Sequence, residues 1–191
     1  MTAQPEKQLL AHSTPTIKLI LKWLVIVQLL AGVTMVIVGL LLPREWKVEK
    51  SVEITGDIAT IHALVSDAEQ WDRWMFDPAQ PGMTTQTDGQ GVGATIQWSS
   101  DDSNGELLLV ESDPSKGIRW DGKIETDEVN NHGEIRYEQL DGGVVRVTLL
   151  DTGTLPPVFG GYFVPVMNSA LGQHFGAALG RLEAAVEGQG S

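Results

Sequence analysis

The sequence has no cysteine. That excludes disulfides, thiol catalysis, iron–sulfur clusters and cysteine-ligated zinc. Histidine is scarce: His12, His62, His132 and His174 are the four, and no two stand at a metal-ligand spacing such as H-E-x-x-H. There is no G-x-S-x-G, no Walker loop and no G-x-G-x-x-G opening a helix. Gly89-Gln90-Gly91-Val92-Gly93 comes nearest, but it leads into a strand pattern and reads as a turn or bulge that curves a sheet. Asp101-Asp102-Ser103-Asn104 with Glu106 lacks the full calcium-loop frame and reads as a solvated hairpin tip. Neither a metal nor a cofactor is expected. No Asn-x-Ser/Thr acceptor is present. Basic residues are also few, 13 against 25 acidic ones. Beyond residue 43 the chain holds 10 of the basic and 24 of the acidic residues, a net charge of −14. Such a surface repels phosphate backbones and argues against nucleic acid. It also disfavours adhesion to anionic lipid by charge alone.

What the sequence does have is one long charge-free run, Trp23 to Leu42, in which only Gln28 and Thr34 are polar. As a helix, 20 residues span about 30 Å, the thickness of a bilayer's hydrocarbon core. The run is too long for a cleaved signal peptide and ends in Leu40-Leu41-Leu42-Pro43-Arg44 rather than in small residues. It therefore reads as a retained span, with the lipid bilayer as its partner over residues 23–42. Lys7, Lys18 and Lys22 precede it and Arg44, Lys47 and Lys50 follow it, so charge asymmetry does not set the orientation. An anchor followed by an acidic body gives the expectation of a single-pass protein whose body is non-cytoplasmic. The expected organisation is a polar tail over 1–16, the membrane helix over 17–43, one domain over 44–187 and a short tail over 188–191.

Within the body, Trp46, Val48, Val52 and Ile54 alternate with polar residues as in a half-buried strand, with Lys50 as the one break. Asp57 is a helix N-cap ahead of Ile58, Ile61, Leu64 and Val65 at helical spacing, and a second short helix covers Ala68 to Trp71 or Trp74. Strands follow over Met83–Thr87, Ala94–Trp98, Gly105–Glu111, Gly117–Ile124, Gly133–Leu140 and Val144–Thr154. Asp113-Pro114, Asn130-Asn131 and Asp141-Gly142-Gly143 supply hairpin-type turns. From about Gly161 to Val186, apolar residues recur at steps of three and four: Val164, Met167, Leu171, Phe175, Ala178, Leu179, Leu182 and Val186. Pro165 marks a start or a kink in that helix. The expected fold is α+β: an antiparallel sheet wrapped round a long C-terminal helix, preceded by one transmembrane helix.

Five segments in this order carry a family resemblance. They are Val48–Ile54, Leu64-Val65-Ser66-Asp67 with Trp71-Asp72-Arg73-Trp74, Gly91-Val92-Gly93-Ala94 with Trp98, Gly105-Glu106-Leu107 with Glu111 and Pro114, and Leu171-Gly172 with Phe175, Leu179 and Leu182. The chain resembles the START-like SRPBCC superfamily, in particular its small polyketide cyclase/dehydrase-like proteins, over about residues 46–187. The resemblance implies a helix-grip fold and a cavity between sheet and helix. It departs where many relatives carry Ser-Pro-Trp and this chain has Met75-Phe76-Asp77-Pro78. It implies no fixed catalytic residues, because the fold serves many functions.

The residues expected to line such a cavity are Trp74, Phe76, Trp98, Trp120, Tyr137, Phe163, Met167 and His174, around a small hydrophobic or lipid-like ligand. The segment from Gly153 to Gly161 could close it as a lid. The expected role is that of a membrane-anchored carrier or sensor. Two alternatives stand beside it. A cyclase- or dehydratase-like enzyme would draw its acid or base from His174, Glu111, Asp121 or Tyr137. An acidic interaction module would have a filled core.

Overall fold

In the computed structural model, residues 15–76, 82–101 and 103–189 are described. The start of the tail with His12, the Asp77-Pro78 pair, Asp102 of the hairpin tip and the last two residues lie outside them. Helix α1 covers Pro15–Leu41. Thr34 Oγ1 donates to the Leu30 carbonyl at 2.8 Å, so this polar side chain is satisfied within the helix. Residues Leu19–Leu41 are long and apolar enough to cross a membrane, and only 6% of their most apolar window is buried in the protein.

Three residues separate α1 from strand β1, Glu45–Thr55. Helix α2, Ile58–Val65, starts at Asp57, whose carboxylate accepts from Thr60 N at 2.8 Å and Thr60 Oγ1 at 2.9 Å. A 3₁₀ turn, Ala68–Gln70, then leads into the single-turn helix α3, Trp71–Trp74. The remaining strands are β2 Thr84–Asp88, β3 Thr95–Ser99, β4 Asn104–Asp113, β5 Gly117–Ile124, β6 Asn131–Gln139 and β7 Val144–Thr154, and helix α4 runs from Gly160 to Gln189. The seven strands form one antiparallel sheet in the order β1-β7-β6-β5-β4-β3-β2. Sheet plus long C-terminal helix is the helix-grip arrangement.

The inner face of this sheet is organised by three tryptophans, each opposite a glycine on the neighbouring strand. Trp46 faces Gly153, Trp98 faces Gly105 and Trp120 faces Gly133 in the strand register. A Cβ on any of these glycines would overlap the opposing indole. The bare backbone of the glycine is thus the platform on which the ring lies, which lets a large apolar surface fit a concave face. Trp120 then meets Trp71 edge-on, with centroids 5.4 Å apart, and Trp71 lies 5.1 Å from Trp74. These three indoles, all but fully buried, fill the centre of the body.

Helix α4 runs alongside β1 and has two unlike halves. Phe175, Ala178, Leu179, Leu182 and Val186 are buried against the core, and Arg181 donates to the carbonyls of Trp74 and Met75 at 3.0 and 3.2 Å. The half before residue 174 covers less: Met167 and Leu171 are half-buried and Phe163 and Val166 are exposed. Pro165 neither starts nor ends α4; the helix runs through it. Lys50, the break in the β1 pattern, is exposed beneath this half, where a Cβ on Gly172 would touch its Cε at 3.4 Å. The Asn130-Asn131 pair is not all turn. Asn130 closes the β5–β6 connection by bonding both Ile124 N and Ile124 O at 2.9 Å, whereas Asn131 is the buried first residue of β6.

The Trp-over-Gly arrangement fixes a sign for two glycine substitutions. Gly133→Ala should lower stability by about 1–3 kcal/mol, because the added carbon forces the Trp120 ring out of its place. Gly180→Ala, at an exposed α4 position with open space around it, should raise stability by about 0.5–1 kcal/mol. Urea unfolding of both variants in the same detergent checks the contrast; a stabilised Gly133→Ala would contradict it.

Candidate functional site

Three places gather polar or titratable groups around the inner face. The first lies at the end of the sheet nearest α1. Asp151 of β7 points inward and is buried. Trp46 Nε1 donates to its Oδ1 at 2.9 Å, and Asn131 Nδ2 reaches both carboxylate oxygens at 2.8 Å. Burial pushes the Asp151 carboxyl up to about 6, with the Asn131 and Trp46 hydrogen bonds pulling the other way. The group therefore titrates close to neutral pH. None of Asp151, Asn131 or the Trp46 ring nitrogen stands out in the sequence, since alternation alone places Asp151 inward without naming its partners.

The second lies at the opposite end, under α2. His62 is held between Tyr137 and Ser112: Nδ1 is 3.2 Å from Tyr137 Oη and Nε2 is 3.3 Å from Ser112 Oγ. Tyr137 and His62 also meet edge-to-face at 6.0 Å. Burial raises the Tyr137 phenol well above its ordinary value and lowers His62, the latter against the pull of Asp113. A neutral imidazole between two hydroxyls can pass or hold a proton but has no carboxylate bonded to it.

The third is a cleft of about 420 Å³ between β1 and α4, lined by Lys47, Val48, Lys50, Asn168, Gly172 and Gln173 among others. The Asn168 Oδ1 atom is buried with no partner among the described residues. A further groove of about 480 Å³, with Gln86, Gln97, Glu106, Lys123 and Asp127 on its walls, is polar and lies at the β2–β5 end of the sheet. Among the described residues, no three of His, Asp and Glu converge as a metal site would require.

The candidate residues named from sequence are scattered over these places. Trp74 and Trp120 are core, and the Trp74 Nε1 has no partner among the described residues. Trp98 is half-buried over Gly105 with Phe76 at 6.2 Å. Met167 is half-buried on α4, and His174 lies on α4 beside Phe175 at 5.6 Å. Phe163 does not line the space under the helix: it is 59% exposed on the face of α4 away from the sheet. Glu111 and Asp121 also point away from it, on the outer sheet face, where Glu111 pairs with Arg119 and Asp121 with His132, both at 2.7 Å. Of the four acid/base candidates, Tyr137 joins a cluster on the inner side, where it is bonded to His62, whose other ring nitrogen meets Ser112.

Comparison with known proteins agrees with this architecture. Residues 45–187 match the family described as polyketide cyclase / dehydrase and lipid transport. Among solved structures, a Staphylococcus aureus protein of unknown function, SA2116, superposes with a TM-score of 0.60 at 8% identity, over 76% of this chain and 96% of that one. The Aha1 dimer from Colwellia psychrerythraea gives 0.56 at 14% identity, over 74% and 96% of the two chains. BH1534 from Bacillus halodurans gives 0.56 at 13%, over 75% and 99%. At these identities the likeness is one of fold. Among curated proteins, none matches the sequence.

The buried Asp151 and the half-buried His62 give opposite pH dependences. Asp151 has its folded value raised, so its contribution to stability is fully present below the ordinary carboxyl value of 3.8 and is lost as pH rises through about 6. His62 has its folded value lowered from 6.5, so its contribution is present above 6.5 and is lost as pH falls below it. Asp151→Asn should therefore make the protein lose more stability between pH 6.5 and 4 than the wild type does. His62→Gln should make it lose less. Thermal melts across that range check the two slopes, and parallel curves for all three proteins would refute the assignment.

Proposed function

The chain belongs to the polyketide cyclase / dehydrase and lipid transport family, and on that premise we propose that it is a membrane-anchored binding protein, a carrier or sensor, for a small hydrophobic or lipid-like ligand. The observation that carries this reading is the cleft between β1 and α4, which opens directly beyond α1, on the strand that α1 runs into. Its volume of about 420 Å³ falls in the range of ligand sites. Val48 offers a small apolar surface, Lys47 and Lys50 offer cations beside Glu49, and the unpartnered Asn168 Oδ1 lies buried in the α4 wall. Those groups suit an amphiphile with a hydrogen-bonding, anionic head. With α1 crossing the bilayer and the body on its non-cytoplasmic side, such a ligand would move between membrane and cleft over a short path. A link of three residues extends at most ~10 Å.

A second reading has its own support. Trp71, Trp74 and Trp120 occupy the centre that a deep cavity would need, which favours an acidic interaction module with a filled core. One experiment separates the two. Full-length protein extracted gently from its membranes should carry a co-purifying lipid-like molecule in native mass spectrometry. Lys50→Glu should reduce its occupancy severalfold without loss of fold, since Lys50 is exposed. An unliganded mass under several mild extraction conditions would favour the interaction module.

A further inference from the structure

The cleft lies between sheet and helix. A different feature lies outside both. From Thr152 to Gly180 the chain has no Asp, Glu, Lys or Arg, although it carries 25 acidic residues in all. This stretch, longer than the charge-free run of α1 itself, comprises the end of β7, the connecting loop and the first two-thirds of α4. On it, Phe159 in the turn just before α4 and Phe163 and Val166 in the first turns of α4 are 52%, 59% and 65% exposed, the latter two three residues apart on one helix face. Among the described residues of the body, apolar side chains of this size are otherwise buried or half-buried, with Val92, Leu108 and Val129 the isolated exceptions.

The same segment is clamped to α1. Tyr162 Oη donates to the Met35 carbonyl at 2.7 Å. The Val158 carbonyl and the Tyr162 ring occupy the place a side chain on Gly39 would take, and a Cβ on Gly161 would overlap Leu42. Val158 holds φ at +71°, a conformation a β-branched residue rarely adopts, at this contact. Leu155 N donates to the Arg44 carbonyl at 2.9 Å, and the Arg44 guanidinium returns a bond to Leu155 O at 3.3 Å. Met35 lies six residues inside the end of α1, about 9 Å at 1.5 Å per residue. The start of α4 is therefore alongside the span and not beyond its end.

We infer that the loop from Leu155 and the first turns of α4 are a second membrane contact, with Phe159, Phe163 and Val166 inserted into the same leaflet that α1 leaves. The inference rests on α1 spanning the bilayer, and it deepens the reading of the cleft. The occupant is lipid because the exposed apolar face is continuous with the surface of α1, carries no charge, and has aromatic residues where an interfacial helix would place them. Two contacts, span and α4, fix the body's tilt. The β1–α4 cleft is then presented to the headgroup layer and cannot swing into bulk water.

The absence of native cysteine makes the test direct. Single cysteines at Phe163, Val166 and, as a reference on the outer sheet face, Glu138 carry a nitroxide in full-length protein reconstituted into phosphatidylcholine–phosphatidylglycerol vesicles. Collision with oxygen should dominate at 163 and 166, and collision with a water-soluble nickel chelate should dominate at 138. Retention after an alkaline carbonate wash shows that α1 is integral. Retention with 163 and 166 as wet as 138 would overturn the second contact and leave the span standing, whereas release by carbonate would overturn both. Shielding from both reagents, with dipolar broadening that disappears on dilution with unlabelled protein, would assign the face to a second copy of the chain and overturn the lipid occupant.

Discussion

The structure depends on indole rings lying over bare backbone. A sheet of seven strands that must wrap a helix has a concave face with too little room for ordinary side chains opposite large ones. Trp46, Trp98 and Trp120 solve this with Gly153, Gly105 and Gly133, one pair on each of three strand ladders across the sheet. Each glycine forgoes side-chain packing of its own, and the opposing ring supplies that packing. Once the rings lie flat, Trp120 can meet Trp71, and Trp71 can meet Trp74, so α3 and the C-terminal half of α4 close over a continuous aromatic centre. The first of the three also reaches outward from packing to polarity, because the Trp46 ring nitrogen is a donor to Asp151.

That link places a group titrating near neutrality at the end of the sheet that meets α1. Its proton is governed by burial, with Asn131 and Trp46 holding the carboxylate in place. At the opposite end, His62 between Tyr137 and Ser112 is a group that burial keeps neutral. The body thus carries two titratable sites of opposite sense, one buried and one half-buried, separated along the sheet. The cleft of the β1 edge lies at neither: it sits under the loosely covered half of α4, and the larger polar groove lies at the β2–β5 end. The family name joins reaction and transport, and in this chain Glu111 and Asp121 lie on the outer sheet face while Tyr137 meets His62 under α2.

Much of the fold was legible from local pattern. Gly117–Ile124 and Val144–Thr154 read from alternation and turn residues match β5 and β7, and the long closing helix differs from α4 by a few residues at its ends. Asp57 read as a cap because the cap is a local contact with Thr60. The candidate site was much less legible. Asn131 sits where a turn signal points, yet its side chain serves Asp151, twenty residues away and on another strand. Phe163 stands next to Val164, where the helical apolar pattern begins, in a run of apolar residues that gives no hint of which of them meet protein. His62 carries no motif because its two partners come from β4 and β6.

Sequence alone settled what depends on composition and short-range order: a charge-free helix of bilayer length followed at once by a strand, an antiparallel sheet, a closing amphipathic helix, and the absence of thiol chemistry. Tertiary structure alone decided what depends on which strand neighbours which. It set indole over glycine, gave Asp151 its donors, filled the centre with tryptophan while leaving a cleft at the β1 edge, and laid the start of α4 against Met35 and Gly39 of α1. Those contacts join residues up to 127 positions apart in the chain, and no local preference encodes such a distance.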